Sequence, residues 1–191
     1  AASKRFMPHF HIPLQSGSDD VLKLMRRRYD TELFASRIDY VKKVIPDAFI
    51  GVDIIVGTRG ETDEFFEDSF NFAHSIDVSQ YHVFSYSERP GTSALRIPYV
   101  VDEKVKHERS KRLIALSEEK RIAFYSKYIG TVRPMLTEHS HDGLEAKGFT
   151  DNYIRVEVPT ALGNVPSNAI VNCLLKGFNN DKTALIGEVQ L

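Results

Sequence analysis

The chain has 191 residues, 42% of them hydrophobic, and its 25 basic and 26 acidic side chains leave a net charge of −1. That is enough to bury the core of one large domain or two small ones, while no apolar run approaches the ~18 residues of a membrane-crossing helix and no cationic-then-apolar leader opens the sequence, so a soluble, cytoplasmic protein without a membrane partner is expected. The single cysteine, Cys173, excludes an internal disulfide and any cysteine-held metal site made by this chain alone.

Residues 1–8 show no cap or periodicity. HFHIPLQ then forms a short apolar run (Phe10, Ile12, Leu14) of the composition of a buried strand, breaks at Gln15-Ser16-Gly17-Ser18, and restarts with helical spacing at Val21, Leu22, Leu24 and Met25. Ser18 is the expected N-cap, Asp19 and Asp20 fall in the first turn, and Arg26, Arg27 and Arg28 fall at the other end. Asp30-Thr31 predicts the start of a second helix running to about Val44, stopped by Pro46. AFIGVDIIVG is a nearly continuous apolar run bearing one acid, the pattern of a parallel strand covered on both faces. Thr62, followed by Asp63 and Glu64, predicts a helix through Phe65, Phe66, Phe70 and Phe72 to about His74; QYHVFSY reads as another strand and ERPGTS as a turn. Alternation of this kind indicates a parallel sheet with right-handed crossovers.

From Asp102 to about Tyr128 the pattern is helical and highly charged, with Leu113, Leu116, Ala123 and Phe124 apolar. Its cations, among them Lys104, Lys106, Arg109, Lys111 and Arg112, read as solvated faces interleaved with Glu108, Glu118 and Glu119. From Thr131 the pattern changes to TVRPMLTEH, DGLEAKGFT, DNYIRVEVP, AIVNCLLKGF and KTALIGEVQ, five short strands that predict a small antiparallel barrel. The charges are evenly shared: residues 1–130 carry 20 basic and 19 acidic side chains, and residues 131–191 carry 5 and 7. Nucleic-acid binders usually show a basic surplus, so composition gives RNA binding no support.

Among chemistry-bearing residues, Gln15 and Ser16 lie where a strand hands over to a helix, the place where α/β proteins bind ligands. An ordinary turn whose Gln and Ser only cap the helix accounts for them equally. Asp53 is the sharpest residue: it shares a strand face with Gly51, Ile55 and Gly57 in an otherwise apolar run, and a buried carboxylate needs partners. His82, on a strand, reads as a core histidine. Glu61 and Thr62 are accounted for as helix-start residues.

Three spaced stretches, HIPLQSGSDDVLKLMRRRY, GVDIIVGTRGET and YHVFSYSERPGTSA, resemble in order the methylthiotransferase branch of the radical S-adenosylmethionine (SAM) enzymes. LMRRRY and HVFSYS are most similar to members that methylthiolate N6-threonylcarbamoyladenosine (t6A) beside the tRNA anticodon. The resemblance implies an α/β fold: residues 1–101 as the second half of a radical SAM (β/α) partial barrel, residues 102–130 as a connecting helix, and residues 131–191 as a small RNA-binding β-barrel of the type called TRAM. It implies SAM and two [4Fe-4S] clusters as cofactors, the cluster ligands lying outside this chain, and tRNA as partner; residues 1–191 alone are then expected to be inactive. An uncovered sheet edge left by a missing half barrel would favour self-association.

Carried over by position, Gln15, Ser16, Arg27 and Asp53 contact SAM, Arg27 matching its carboxylate with a planar fork. Backbone groups near Tyr86, Ser87, Gly91 and Thr92 meet the adenine. Arg89 pairs the carboxylate of the threonylcarbamoyl group, with Arg59 as a second candidate, and Phe149, Tyr153 and Arg155 meet RNA by stacking and phosphate contact. Phe149 is equally well placed as a core residue. In GTRGET the chain departs from the family's usual Gly-Phe-Pro-Gly-Glu-Thr, putting Thr58 and Arg59 where Phe and Pro are expected. Two alternatives stand beside this reading: the same chemistry on isopentenyladenosine or a ribosomal protein, and a non-catalytic RNA-binding module.

Overall fold

The computed structural model describes residues 5–138, 145–159 and 165–190. They form two compact units: Phe10–Pro46 with Ile50–Lys120, and the residues up to His9 with Asp47–Phe49 and everything from Arg121 onward.

The first unit is α/β. In chain order it contains β1 (His9–Gln15), α1 (Asp19–Leu24), α2 (Thr31–Val44), β2 (Phe49–Val56), α3 (Asp63–Ser75), β3 (Gln80–Ser85), a 3-10 turn at Ser93–Arg96 and the start of α4 (Glu103–Ser126). The sheet order is β1-β2-β3, with β2 and β3 parallel and Asp53 in register with His82. Two helix starts follow the sequence: the Asp30 carboxylate accepts from the Leu33 N–H at 2.8 Å and the Thr62 hydroxyl from the Phe65 N–H at 3.2 Å. Ser18 departs from expectation. It occupies the N-cap position of α1 with extended backbone, but its hydroxyl makes no capping bond and is buried without a partner among the described residues. Asp19 turns instead to the next helix and accepts from the Thr31 N–H at 2.8 Å.

Strand β2, expected to be covered on both faces, is buried along one face and, on the other, at Phe49 and Gly51 only. Ile50, Val52, Ile54 and Val56 are fully buried, and α2 and α3 contribute Phe34, Ile38, Phe66 and Ala73 to the buried set, whereas Asp53 and Ile55 on the opposite face are half-buried. Period-2 alternation makes the two faces separable, and these residues supply helices for one of them. The charged helix also differs from its expected solvated reading. Lys106 and Arg109 on α4 are buried, because both reach the loop that follows β2.

The second unit is the small barrel: β4 (Val132–Thr137), β5 (Glu145–Thr150), β6 (Arg155–Pro159), β7 (Ile170–Phe178) and β8 (Leu185–Val189), closed in the order β4-β5-β6-β8-β7. Four pairings are antiparallel, while β6 and β8 run parallel. A closed ring with an odd number of strands cannot alternate direction all the way round, so a five-stranded barrel must contain a parallel pair. The small barrel expected from the sequence is thus antiparallel at four of its five pairings. The start of the predicted second strand, residues 142–144, lies outside the described residues. The stretch expected as a separate connecting helix is α4, whose last turns from Arg121 belong to this unit and add Phe124 and Tyr125 to its core. Met135, Ile154, Val156, Val158, Cys173, Leu175 and Leu185 fill the interior.

Cys173 is inaccessible, and burial pushes its thiol up to about 11 from an ordinary 9.0. At pH 8 the native chain should therefore be alkylated by iodoacetamide at least roughly a hundredfold more slowly than the urea-unfolded chain, because both thiolate fraction and access are lost. Labelling at equal rates in the two states would contradict this burial. A raised thiol stabilises the native state below pH 9, and that contribution is lost as the pH rises through about 11.

Candidate functional site

The backbone takes left-handed geometry without glycine at the end of β1, where Gln15 has φ 73°, and again just after α1, where Arg26 has φ 57°. Such residues store strain and mark sites that the surroundings hold in place. The clamps are visible. The Gly17 N–H donates to Ser69 Oγ at 2.8 Å, and a Cβ at Gly17 would fall 2.7 Å from the Ser69 carbonyl oxygen, so only glycine lets the loop lie on α3. Tyr29 donates its hydroxyl to the Leu14 carbonyl at 2.8 Å. Ser16 is fully buried and its hydroxyl accepts from the Ser18 N–H at 3.2 Å, so it shapes the loop. Held this way, Gln15 and Arg27 meet: Arg27 donates from its Nη2 to Gln15 Oε1 at 2.9 Å, and its other donors have no partner among the described residues.

Asp53 lies mid-strand on the half-open face. A carboxylate only accepts, so His11 must donate from Nε2 to Asp53 Oδ1, at 2.5 Å. His82 is opposite Asp53 in the neighbouring strand, with its ring centroid 5.0 Å from that of His11. It is half-buried on this face, which corrects its reading as a core histidine. Among the described residues no three His, Cys, Asp or Glu side chains could hold a metal ion.

Beyond β2 and β3, a cleft of about 630 Å³ is lined by Arg59, Tyr86, Ser87, Glu88, Glu103 and Lys106. Arg59 donates to Glu88 at 2.7 Å and to the carbonyls of Leu95 and Ile97 at 3.1 and 2.9 Å, tying down the segment after β3. That hydrogen bond pulls the Glu88 carboxyl below its usual range. The buried Lys106 ammonium pairs with the exposed Glu103 at 2.6 Å, and its stem passes over Gly57 (φ 75°), where a Cβ would sit 2.2 Å from Lys106 Cγ. Glu61, read from sequence as a helix-start residue, is instead buried against Arg109 at 2.6 Å and accepts from the Gly57 N–H at 2.9 Å. Arg89 is exposed, and its guanidinium has no partner among the described residues.

In the barrel unit Phe149, Tyr153 and Arg155 come together. The Tyr153 ring stacks on His9 at 3.8 Å and on Phe149 at 4.7 Å, and the Arg155 guanidinium lies 5.6 Å from the Phe149 centroid. Tyr153 is 41% exposed and Phe149 half-buried, so the column is neither pure core nor free surface. His9, which carried no sequence signal, extends it.

Residues 2–73 match the model of the Radical SAM superfamily. The chain is 44% identical over 158 residues to the threonylcarbamoyladenosine tRNA methylthiotransferase MtaB of Bacillus subtilis, covering 81% of this chain and 35% of that protein. It is 35% identical over 157 residues to MtaB of Aquifex aeolicus, covering 82% of this chain and 37% of the relative. It is 39% identical over 142 residues to a tRNA-2-methylthio-N(6)-dimethylallyladenosine synthase of Pelotomaculum thermopropionicum, covering 74% and 32%. The chain thus spans about a third of the length of these relatives. Among solved structures, coproporphyrinogen III oxidase (HemN) from Escherichia coli, described as a radical SAM enzyme, shares the fold with TM-score 0.51 at 15% identity, over 78% of this chain and 40% of that one.

Proposed function

This chain is a homologue of the radical SAM methylthiotransferases over about a third of their length, and on that basis we propose that it is the SAM-facing and RNA-binding part of an enzyme that methylthiolates C2 of t6A in tRNA. The observation that carries the reading is the Gln15–Arg27 pair. It sits at a strained strand end inside the stretch that matches the superfamily model, with guanidinium donors to spare. Those donors fit the carboxylate of SAM in a fork, and the Gln15 amide fits an adjacent polar group. SAM held here would supply the hydrogen-abstracting chemistry, and a second SAM molecule would supply the methyl group. The chain's own residues bind and orient it.

Iron-sulfur clusters do not fit these residues: the only thiol is Cys173, buried in the barrel, so thiolates for the clusters come from outside residues 1–191. By itself the 191-residue chain should then be inactive.

For the substrate, the two MtaB relatives are named for the threonylcarbamoyl nucleoside, and Arg89, whose guanidinium has no partner among the described residues, can meet its carboxylate. Arg59 is the weaker candidate, since three of its donor contacts already hold the segment after β3. In the barrel, which we read as TRAM-like, Tyr153 and Phe149 offer faces for unpaired bases, with Arg155 beside them for phosphate. Mass spectrometry of nucleosides from a strain lacking the gene tests the whole reading. Loss of 2-methylthio-t6A with other methylthiolated nucleosides intact supports it. Loss of the isopentenyladenosine product instead would move the substrate, and unchanged nucleosides would overturn the function.

A further inference from the structure

On the half-open face of the α/β unit, β1, β2 and β3 place His11, Asp53 and His82 in one row across the sheet. Strand alternation puts Ile55 and Phe84, an in-register pair, on the same face two residues further on. Phe84 is 52% exposed, so a flat apolar patch adjoins the polar row. The row is not a metal site, because no three metal-ligating side chains among the described residues converge. It is also displaced from the Gln15–Arg27 pair: His11 and Gln15 are four residues apart on β1, roughly 13 Å at ~3.3 Å per residue.

Its hydrogen-bonding character is defined. With Nε2 donating to Asp53, a neutral His11 presents Nδ1 as an acceptor, and the second carboxylate oxygen of Asp53 is another acceptor. The His82 ring makes no side-chain hydrogen bond among the described residues, leaving both its nitrogens for a ligand. Such a row asks for a planar partner with N–H donors on one edge and apolar faces that can lie against Phe84 and Ile55. A purine whose exocyclic nitrogen keeps an N–H, as an N6-carbamoylated adenosine does, answers that description.

The geometry points to a nucleobase seat: His11, Asp53 and His82 hold the polar edge of the RNA adenosine that undergoes modification, with Asp53 acting as a positioning residue that fixes the His11 tautomer. This rests on the reading of the chain as part of an adenosine-modifying enzyme and adds which residues grip the base. The seat belongs to the substrate nucleoside, and the cofactor's own adenosine is the alternative source of the same chemistry.

The test is a titration of the full 191-residue chain, labelled with 15N-histidine, with free t6A nucleoside in one arm and S-adenosylhomocysteine in the other, read by long-range 1H–15N correlation. The nucleoside should shift the ring nitrogens of His11 and His82, and S-adenosylhomocysteine should leave them in place. D53N should release the fixed Nε2–H tautomer of His11 and weaken nucleoside binding about tenfold or more; H82F should weaken binding while leaving the tautomer intact. Histidine signals that move only with S-adenosylhomocysteine, or with neither ligand, overturn the seat, and the wild-type titration alone decides this even if a variant fails to fold. Loss of 2-methylthio-t6A on gene deletion together with unmoved histidines would sink this inference alone and leave the function standing.

Discussion

Replacing Arg109 by alanine should destabilise the α/β unit by about 3–5 kcal/mol, the usual result of leaving one member of a buried ion pair alone. Arg109 and Glu61 are 3% and 1% exposed, and a second Arg109 contact, to the Glu61 carbonyl at 3.1 Å, ties α4 to the loop after β2. Burial raises the Glu61 carboxyl above its ordinary 4.5, while the Gly57 N–H and Arg109 act to lower it. Removing Arg109 takes away one of those opposing influences and pushes Glu61 further up. The direction with pH follows. A carboxyl raised in the folded state contributes stability that is full below 4.5 and is lost as the pH rises through its folded value. The penalty of R109A should therefore be largest near pH 7 and shrink towards pH 4.5. Urea unfolding of wild type and R109A across that range measures it. A penalty below about 1 kcal/mol at pH 7, as for an exposed pair, would show that the contact carries little. The double change R109M/E61L should cost less than R109A, since it leaves no unpaired charge behind.

Arg27→Ala should weaken S-adenosylhomocysteine binding to the chain by about 10- to 100-fold, the range expected for loss of a hydrogen bond to a charged group worth ~1.5–3 kcal/mol. Arg27→Lys should recover only part of it, because an ammonium cannot hold both a carboxylate and the Gln15 amide in one plane. Gln15→Gly separates strain from function. Glycine accepts φ 73° freely, so the variant should gain on the order of 1 kcal/mol in stability while binding the ligand more weakly. Isothermal titration and thermal unfolding give the two readouts. Unchanged affinity in R27A would remove this pair from the cofactor site, and a less stable Q15G would show that the Gln15 side chain matters more to the fold than its backbone strain.

How much of this was legible beforehand differs from residue to residue. The helix starts at Asp30 and Thr62 were, because a cap is settled within four residues. The failure of Ser18 to cap was not, nor was the bond from the Thr31 N–H to Asp19, which joins positions twelve apart on successive helices. The motif containing Gln15 and Arg27 was readable, and their direct contact follows from a tight strand-loop-helix. Arg109 looked like any cation on a solvated helix face, and Glu61 like any first-turn acid, because their meeting spans 48 positions and leaves no periodic trace. Arg59, a departure from the family motif, looked available to a ligand, whereas its contacts with Glu88, Leu95 and Ile97 already occupy it.

By itself, then, the order of residues determined what short-range physics can settle: which segments are helix or strand, which side of each is apolar, and that five short strands must gather into a barrel. Tertiary structure alone decided which polar groups face one another. His11, Asp53 and His82 lie on three strands, and strand register brings them into a row. The physical reason is that alternation fixes the face on which a side chain emerges, while its neighbour across the sheet is chosen by pairing between segments distant in the chain.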